Sequence, residues 1–491
     1  MFGVVVLCTA GVAMSLTQTL IMPLIPMLPG VFDTSASHVT WTVTVTMAVG
    51  AVATPIAGRL GDMLGRRRLL LVCVGAVGVG SSVCAVAPSM PVFLAGRALQ
   101  GLGVAFVAVG ISIMREFVPA GRLGAAVGMM SSSLAVGGAL GLPFAAFVAQ
   151  THGWRVLFWV AAAGSLACLI GIRTLVPPGG IGTGGRFDVV GALGLGAILL
   201  TLLLPLSNGP AWGWTSRITL SLSGMSILIS VGWLAYEIRR RDPLLDLRIA
   251  ALRPVFLGNI IGMMNAFAFY GMELIPIQML MAPSATPHGL GVSMLTAGLL
   301  MAPAGVAAFG SSHLGARLVA SRGARFTLVV AGALAITALS ALMLALLAGW
   351  EFPILYLLGI TCLIGTSTGM SYATLPTLIM DTVPAEQTGE ANGLNALMRI
   401  VGLAVAAAVV GMILADGSIQ DPGVNRIAPS AAGYLLATTA ALVAAVTSVL
   451  AALLLPRGLR SSGPGGRSVR SWRREPGSAR QERGSRGRLP G

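Results

Sequence analysis

Fourteen apolar runs, each near the ~20 residues that an α-helix needs to cross the hydrocarbon core of a bilayer, dominate this 491-residue sequence. They lie near 4–29, 38–57, 69–88, 91–113, 124–149, 154–176, 188–207, 217–237, 254–281, 292–314, 326–348, 352–378, 390–414 and 430–456. In lipid every backbone N–H and C=O must find its partner within the protein, which for runs of this length means helices. The expectation is an all-α, multi-pass membrane protein. Composition agrees, with 55% hydrophobic and only 10% charged residues.

The formal charge of +15 would favour nucleic acid in a water-soluble chain, but all 31 basic residues are arginine and they follow topology. Ten lie in residues 457–491, a segment rich in Gly, Ser and Pro that reads as a disordered tail. Sixteen fall in alternate loops beginning with 58–68, whereas the intervening loops hold only Arg155, Arg217 and Arg426. The positive-inside rule then places the arginine-rich loops and both termini in the cytoplasm, with the bilayer as partner and no nucleic acid. The first run lacks a charged n-region and a small-residue cleavage site, and reads as an uncleaved signal anchor.

Cys8, Cys73, Cys84, Cys168 and Cys362 all sit inside apolar runs and read as packing residues, not as disulfides or metal ligands. Without a lysine there is no G-x-x-x-x-G-K-[ST] loop, so this chain does not hydrolyse ATP by that route. His38, His152, His288 and His313 are scattered and form no catalytic or metal cluster. Neither an enzyme nor a cofactor is expected.

Five charges gather in Gly58-Arg59-Leu60-Gly61-Asp62-Met63-Leu64-Gly65-Arg66-Arg67-Arg68, which reads as a short loop between the second and third runs. Its glycines allow a tight turn and close helix approach. Asp62 can pair with Arg66 one helical turn on, or accept hydrogen bonds from a neighbouring helix N-terminus. Sliding this stretch by 258 residues sets Arg59, Leu60, Gly65 and Arg67 on Arg317, Leu318, Gly323 and Arg325, with Ala320 at the position of Asp62. Parallel six-helix halves produce such a copy. The spacing exceeds six helices, so 188–207 and 217–237 sit between the halves.

The pattern G-x-L-x-D-x-x-G-R-R resembles the signature loop of the major facilitator superfamily of transporters. Phe187-Asp188, Trp212-Gly213-Trp214 and Arg241-Asp242-Pro243-Leu244-Leu245-Asp246-Leu247 are similar to landmarks of its fourteen-helix drug:proton antiporter branch. The resemblance covers about residues 1 to 456. It implies the major facilitator fold, with a six-helix bundle in 1–176, a linker with two additional transmembrane helices in 177–253, and a second six-helix bundle in 254–456. It also implies secondary active transport in the plasma membrane by alternating access, as a monomer. The expected activity is proton-coupled efflux of hydrophobic or cationic small molecules, with the proton gradient as the energy source. The alternative is a facilitator or symporter of a small metabolite; a membrane sensor would need an output domain that only the tail offers.

Under that resemblance Gly58, Arg59, Gly61, Asp62, Gly65 and Arg66 form a conformational gate, Asp62 holding the cytoplasmic ends of the halves together. Arg97-Ala98-Leu99-Gln100-Gly101 is similar to the family's R-x-x-Q-G, implying that Arg97 and Gln100 serve proton coupling by biasing a nearby carboxylate. Bonding of Arg97 to backbone carbonyls is the structural alternative. Glu273 is the acid well inside a span, either a proton carrier facing an arginine across the cavity or a solvated group near the outer mouth. The first span carries Thr17 and Met22 where the branch commonly has Asp and Asn, which puts a proton-carrying role for that helix in doubt. Gln18, Thr19, Asn265 and Gln278 are candidates for hydrogen bonds to substrate, while Pro23 and Pro26 free backbone groups that then face the cavity. Gly137 and Gly141 fit a degraded antiporter motif in the fifth span. Asn392, Asn395 and Arg399 share one helical face at the cytoplasmic end, for closing the inner gate, unless Arg399 snorkels to the interface.

Overall fold

The structure is a computed structural model that describes residues 2–21, 24–25, 27–34, 36–178, 187–240, 243–284, 288–349, 353–384, 387–416, 418–420 and 427–456. The tail, 457–491, lies outside the described residues. Each apolar run becomes helical. Thirteen helices, or fourteen with the bent fifth span, are long and apolar enough to cross a membrane.

The first bundle comprises α1 (Phe2–Thr19), the short α2 (Leu28–Phe32), α3 (Ala36–Leu64), α4 (Arg66–Val86), α5 (Met90–Gly101), α6 (Phe106–Phe117), α7 (Ala120–His152) and α8 (Trp154–Leu175). Two further helices follow, α9 (Val189–Trp212) and α10 (Arg217–Arg239), then the single turn α11 (Leu247–Ala250). The second bundle is α12 (Arg253–Met281), α13 (Met294–Arg322), α14 (Ala324–Leu347), α15 (Ile354–Thr382), α16 (Thr388–Asp416) and α17 (Ala431–Leu453). A three-residue antiparallel pair, β1 (Ser418–Gln420) with β2 (Ile427–Pro429), joins α16 to α17.

Three departures from the sequence expectation have local causes. Helix α1 stops at Thr19, ten residues short of position 29; a proline at 23 has no N–H to give Thr19 O, and Met22, Pro23 and Pro26 themselves lie outside the described residues. The stretch from Gly58 to Leu64 is not loop but the last two turns of α3, and Gly65 alone separates α3 from α4. The fourth span is broken into α5, a 3-10 turn over Leu102–Ala105, and α6. At that break a β-carbon on Gly101 would stand 2.7 Å from Thr46 O, so only glycine lets α3 approach so closely. Helix α7 is bent by 41° between Gly121–Gly138 and Pro143–Ala149, as a proline inside a helix requires.

The copy at 258 residues holds in backbone geometry. Gly323 caps α14 at φ 87° as Gly65 caps α4 at φ 100°, a region that side-chain-bearing residues rarely enter. Helix α7 packs against α13, and α3 against α16, along the seam between the bundles. Helix α9 lies over that seam: Ala192, Leu195, Leu199 and Leu203 pack with Ala51 of α3 and Leu397 of α16. Helix α10 turns Leu220, Ile227, Leu228 and Val231 outward, where an apolar face suits lipid.

Replacing Gly65 with Ala is expected to cost about 1–3 kcal/mol of folded-state stability through backbone strain. The check is the thermal midpoint of the detergent-purified protein, and Gly323→Ala is expected to show a similar loss.

Candidate functional site

Asp62 stands at the arginine-rich end of α3, 5% exposed, and its two oxygens are divided between the two bundles. Oδ1 accepts from Arg66 Nε at 3.0 Å and Nη2 at 2.7 Å. Oδ2 accepts from the backbone N–H of Glu390 at 3.0 Å, in the first turn of α16. The amides of a helix's first turn have no intrahelical partner and carry the positive end of its dipole. Asp62 thus caps α16 from the opposite bundle. Arg66 also donates to Glu116 Oε1 at 2.8 Å and to Ser112 O at 3.3 Å, tying α3, α4 and α6 together. Glycines make the crossing possible: a β-carbon on Gly58 would stand 2.5 Å from Gly389 O, and one on Gly389 would meet the Asp62 carboxylate. Gly61 packs against Leu69, Arg66 and Val109 of the same bundle.

Two more contacts cross the seam here. Arg59 lies 3.6 Å from Glu390 Oε2, and Arg115 donates to Thr388 Oγ1 at 2.5 Å. The other Glu390 oxygen, Oε1, accepts from the backbone N–H of Asp246, just before α11.

Arg97 is 1% exposed. Its guanidinium donates to Thr42 O at 3.2 Å, Thr17 O at 3.3 Å and Gln100 Oε1 at 2.6 Å, and Gln100 passes a hydrogen bond to Ser81 Oγ at 2.8 Å. These partners are neutral, two backbone carbonyls and one side-chain amide oxygen. The structure does not bring Arg97 and Glu273 together as an ion pair. Thr17, where the resemblance expected an acid, spends its hydroxyl on Met14 O and offers Arg97 only its carbonyl. Thr19 likewise bonds Leu16 O and lies against Gly141. Gln18 is different: both atoms of its amide are buried without a partner.

In the second bundle Glu273 is exposed about two-thirds of the way along α12, eight residues from its end, with Met272 and Ile275 buried on either side. Tyr270 of its own helix and Tyr372 of α15 lie within its electrostatic reach. The guanidinium of Arg399 lies over the Tyr372 ring at 4.6 Å. Arg399 is buried, with Nη1 unpartnered, and so does not snorkel. Asn395 donates to Gly258 O at 3.3 Å and Asn259 Oδ1 at 3.1 Å, locking α16 to α12, whereas both amide atoms of Asn392 are buried without partners. Asn265 is buried on α12 and Gln278 half-buried near its end.

A capped crossing at one end and a charged, aromatic wall deeper in the second bundle suit a solute pathway between two bundles, and comparison with known proteins identifies the family. The sequence profile described as Major Facilitator Superfamily matches residues 7–407. The chain belongs to the major facilitator superfamily. An uncharacterised MFS-type transporter of Mycobacterium tuberculosis is 27% identical, the match covering 84% of this chain and 58% of that protein. This chain therefore spans little more than half of that relative. A probable actinorhodin transporter of Streptomyces coelicolor is 28% identical, with 82% of this chain and 72% of that protein covered. Among solved structures, the human organic anion transporter MFSD10 superposes with a TM-score of 0.62 at 15% identity, over 91% of this chain and 99% of that one.

Sequence reasoning missed Glu390, Arg115 and Thr388. Their signal was present in the charge of Arg115-Glu116 and of Glu390 beside the Asn392 face, but an acid in the first turn of a helix reads as ordinary dipole compensation. Changing Asp62 to Asn keeps an acceptor for the Glu390 amide and removes the charge that Arg66 and α16 share. The closed crossing is expected to weaken by about 1–3 kcal/mol, a roughly 5–150-fold shift between facing states. Transport by the variant should fall while membrane insertion, read by its yield in washed membranes, stays at the wild-type level.

Proposed function

We propose that this major facilitator is a proton-coupled exporter of hydrophobic or cationic small molecules, of the fourteen-helix drug:proton antiporter branch. Residues 1–176 and 254–456 act as the two moving halves, and 177–253 as an inserted pair of helices. The protein works as a monomer in the plasma membrane with both termini and the arginine-rich end in the cytoplasm. Asp62, Arg59 and Arg66 latch that end shut while the substrate path opens to the other side.

The observation that carries the reading is Glu273, an accessible carboxylate within an apolar span, eight residues from its end. An acid at that depth is costly in lipid and is kept where it meets a water-filled path and a proton. Tyr270 and Tyr372 beside it give the wall an aromatic, apolar character that suits lipophilic cations. Gln18, Asn265, Gln278 and the unpartnered amide of Asn392 supply hydrogen bonds to substrate or to the closing gate. The Streptomyces coelicolor relative, named for actinorhodin, supports a natural-product cargo.

A second reading, a facilitator or symporter of a small metabolite, draws on one observation. Arg97 has neutral partners and Thr17 stands where an acid was expected, so the first bundle lacks a proton carrier beside that arginine.

Both readings meet in one assay, efflux from vesicles with an imposed pH gradient. Export of lipophilic compounds driven by the gradient is expected, and the Glu273→Gln variant, neutral at every pH, should lose that dependence. Gradient-independent equilibration would favour the second reading, and unchanged pH dependence in the variant would remove Glu273 from the mechanism.

A further inference from the structure

The inserted helices carry a pair of buried acids that neither the gate nor the transport path uses. Asp188 caps α9, its Oδ1 accepting from Gly191 N at 2.9 Å and from the Tyr236 hydroxyl at 2.9 Å. Glu237, near the end of α10, uses Oε1 to accept from Leu245 N at 2.7 Å. Asp188 is 7% and Glu237 2% exposed. Their remaining oxygens, Asp188 Oδ2 and Glu237 Oε2, are both buried without a hydrogen-bond partner. Both occupy the small space beside Gly191, 2.8 and 3.1 Å from where a β-carbon on that glycine would sit.

Two carboxylate oxygens crowded beside one glycine, neither with a hydrogen-bond donor and only Asp188 Oδ2 near a cation, repel when both are ionised, and one proton shared between the two acids relieves that repulsion. Among the described residues the charged and titratable groups around them are few. Tyr236 and Arg240 lie on the Asp188 side, with Arg240 Nε 3.8 Å from Oδ2 and donating at 2.7 Å to the Tyr236 hydroxyl. On the Glu237 side the described part of the strap after α10 offers the backbone amides of Leu244 and Leu245, and the Arg240 charge reaches Glu237 as well; Arg241 and Asp242 lie outside the described residues. Trp233 closes the site, its indole N–H bonding Gly191 O at 2.8 Å.

We propose that Asp188 and Glu237 form a proton-binding site that holds one proton between Oδ2 and Oε2, and that this site regulates the arginine-rich gate. Transmission runs through adjacent amides. Glu237 holds Leu245 N, and the next amide, Asp246 N, donates to Glu390, which faces Arg59 and whose own amide caps onto Asp62. With the proton in place, Glu237 stays fixed, the strap stays on Glu390, and the end stays closed. Loss of the proton to water drives the carboxylates apart, frees Leu245 and loosens the strap. Acid therefore holds this end shut and alkali eases it open. The regulatory half rests on the proposed role of that end as a moving gate; the proton-binding half does not.

Two measurements on the purified full chain in nanodiscs test this, and neither requires transport, so a failure of the exporter reading leaves them intact. Infrared difference spectra across a pH titration should show a protonated-carboxyl band in the wild type that is lost on alkalinisation. The band should be absent in both Asp188→Asn and Glu237→Gln, which keep the helix cap and the Leu245 acceptor while replacing the shared proton with an amide donor. Hydrogen exchange at the Asp246 and Glu390 amides, corrected for intrinsic rate, should rise with pH in the wild type and stay slow in Glu237→Gln. A band that survives both substitutions, a response to sodium in place of pH, or the same exchange profile in wild type and Glu237→Gln would overturn the proposal.

Discussion

One carboxylate, that of Asp62, serves both bundles at once. A buried charge is tolerable only when its lone pairs are filled and its charge is compensated. Arg66 fills one oxygen from within the first bundle and the α16 amide fills the other from the second. Separation of the bundles at this end must leave that carboxylate and the α16 N-terminus unpaired or rehydrated. The contact therefore marks the closed state specifically. Gly58 and Gly389 are its steric precondition, because any side chain at either position would hold the helices too far apart for the cap to form.

The internal repeat makes the gate unequal. Gly323 reproduces the turn of Gly65, so both bundles keep the same helix-to-helix geometry. Ala320 cannot reproduce the charge of Asp62, so the second bundle receives a cap and does not give one. The inserted helices add a further asymmetry. By covering the seam with α9 and bonding Glu390 through Asp246, they bind the α3–α16 face of the closed arrangement.

Much of the fold was legible because lipid forces each spanning run to satisfy its own backbone, and apolar length reports that directly. Ends were less legible. Helix α1 ends early, at Thr19, while α3 continues through Gly58 and Gly61 because packing against α16 and its own bundle outweighs the modest helix penalty of glycine. In the site, Asp62 with Arg66 could be read at i, i+4 spacing. The partners of Arg97 could not, since the carbonyls of Thr17 and Thr42 leave no trace in side-chain identity. Glu390 and Asp246 meet across a long separation through a backbone amide, and Asp188 meets Glu237 only once α9 and α10 fold together.

The central claim, that Asp62 holds the arginine-rich ends of the two bundles together, is tested most directly by a distance. Pulsed electron resonance between spin labels on Leu64 of α3 and Ser321 of α13, both exposed at that end, reads the separation without any assumption about cargo. A short distance should dominate in the labelled wild type, and a longer population should grow in Asp62→Asn. Identical distance distributions in the two proteins would contradict the account.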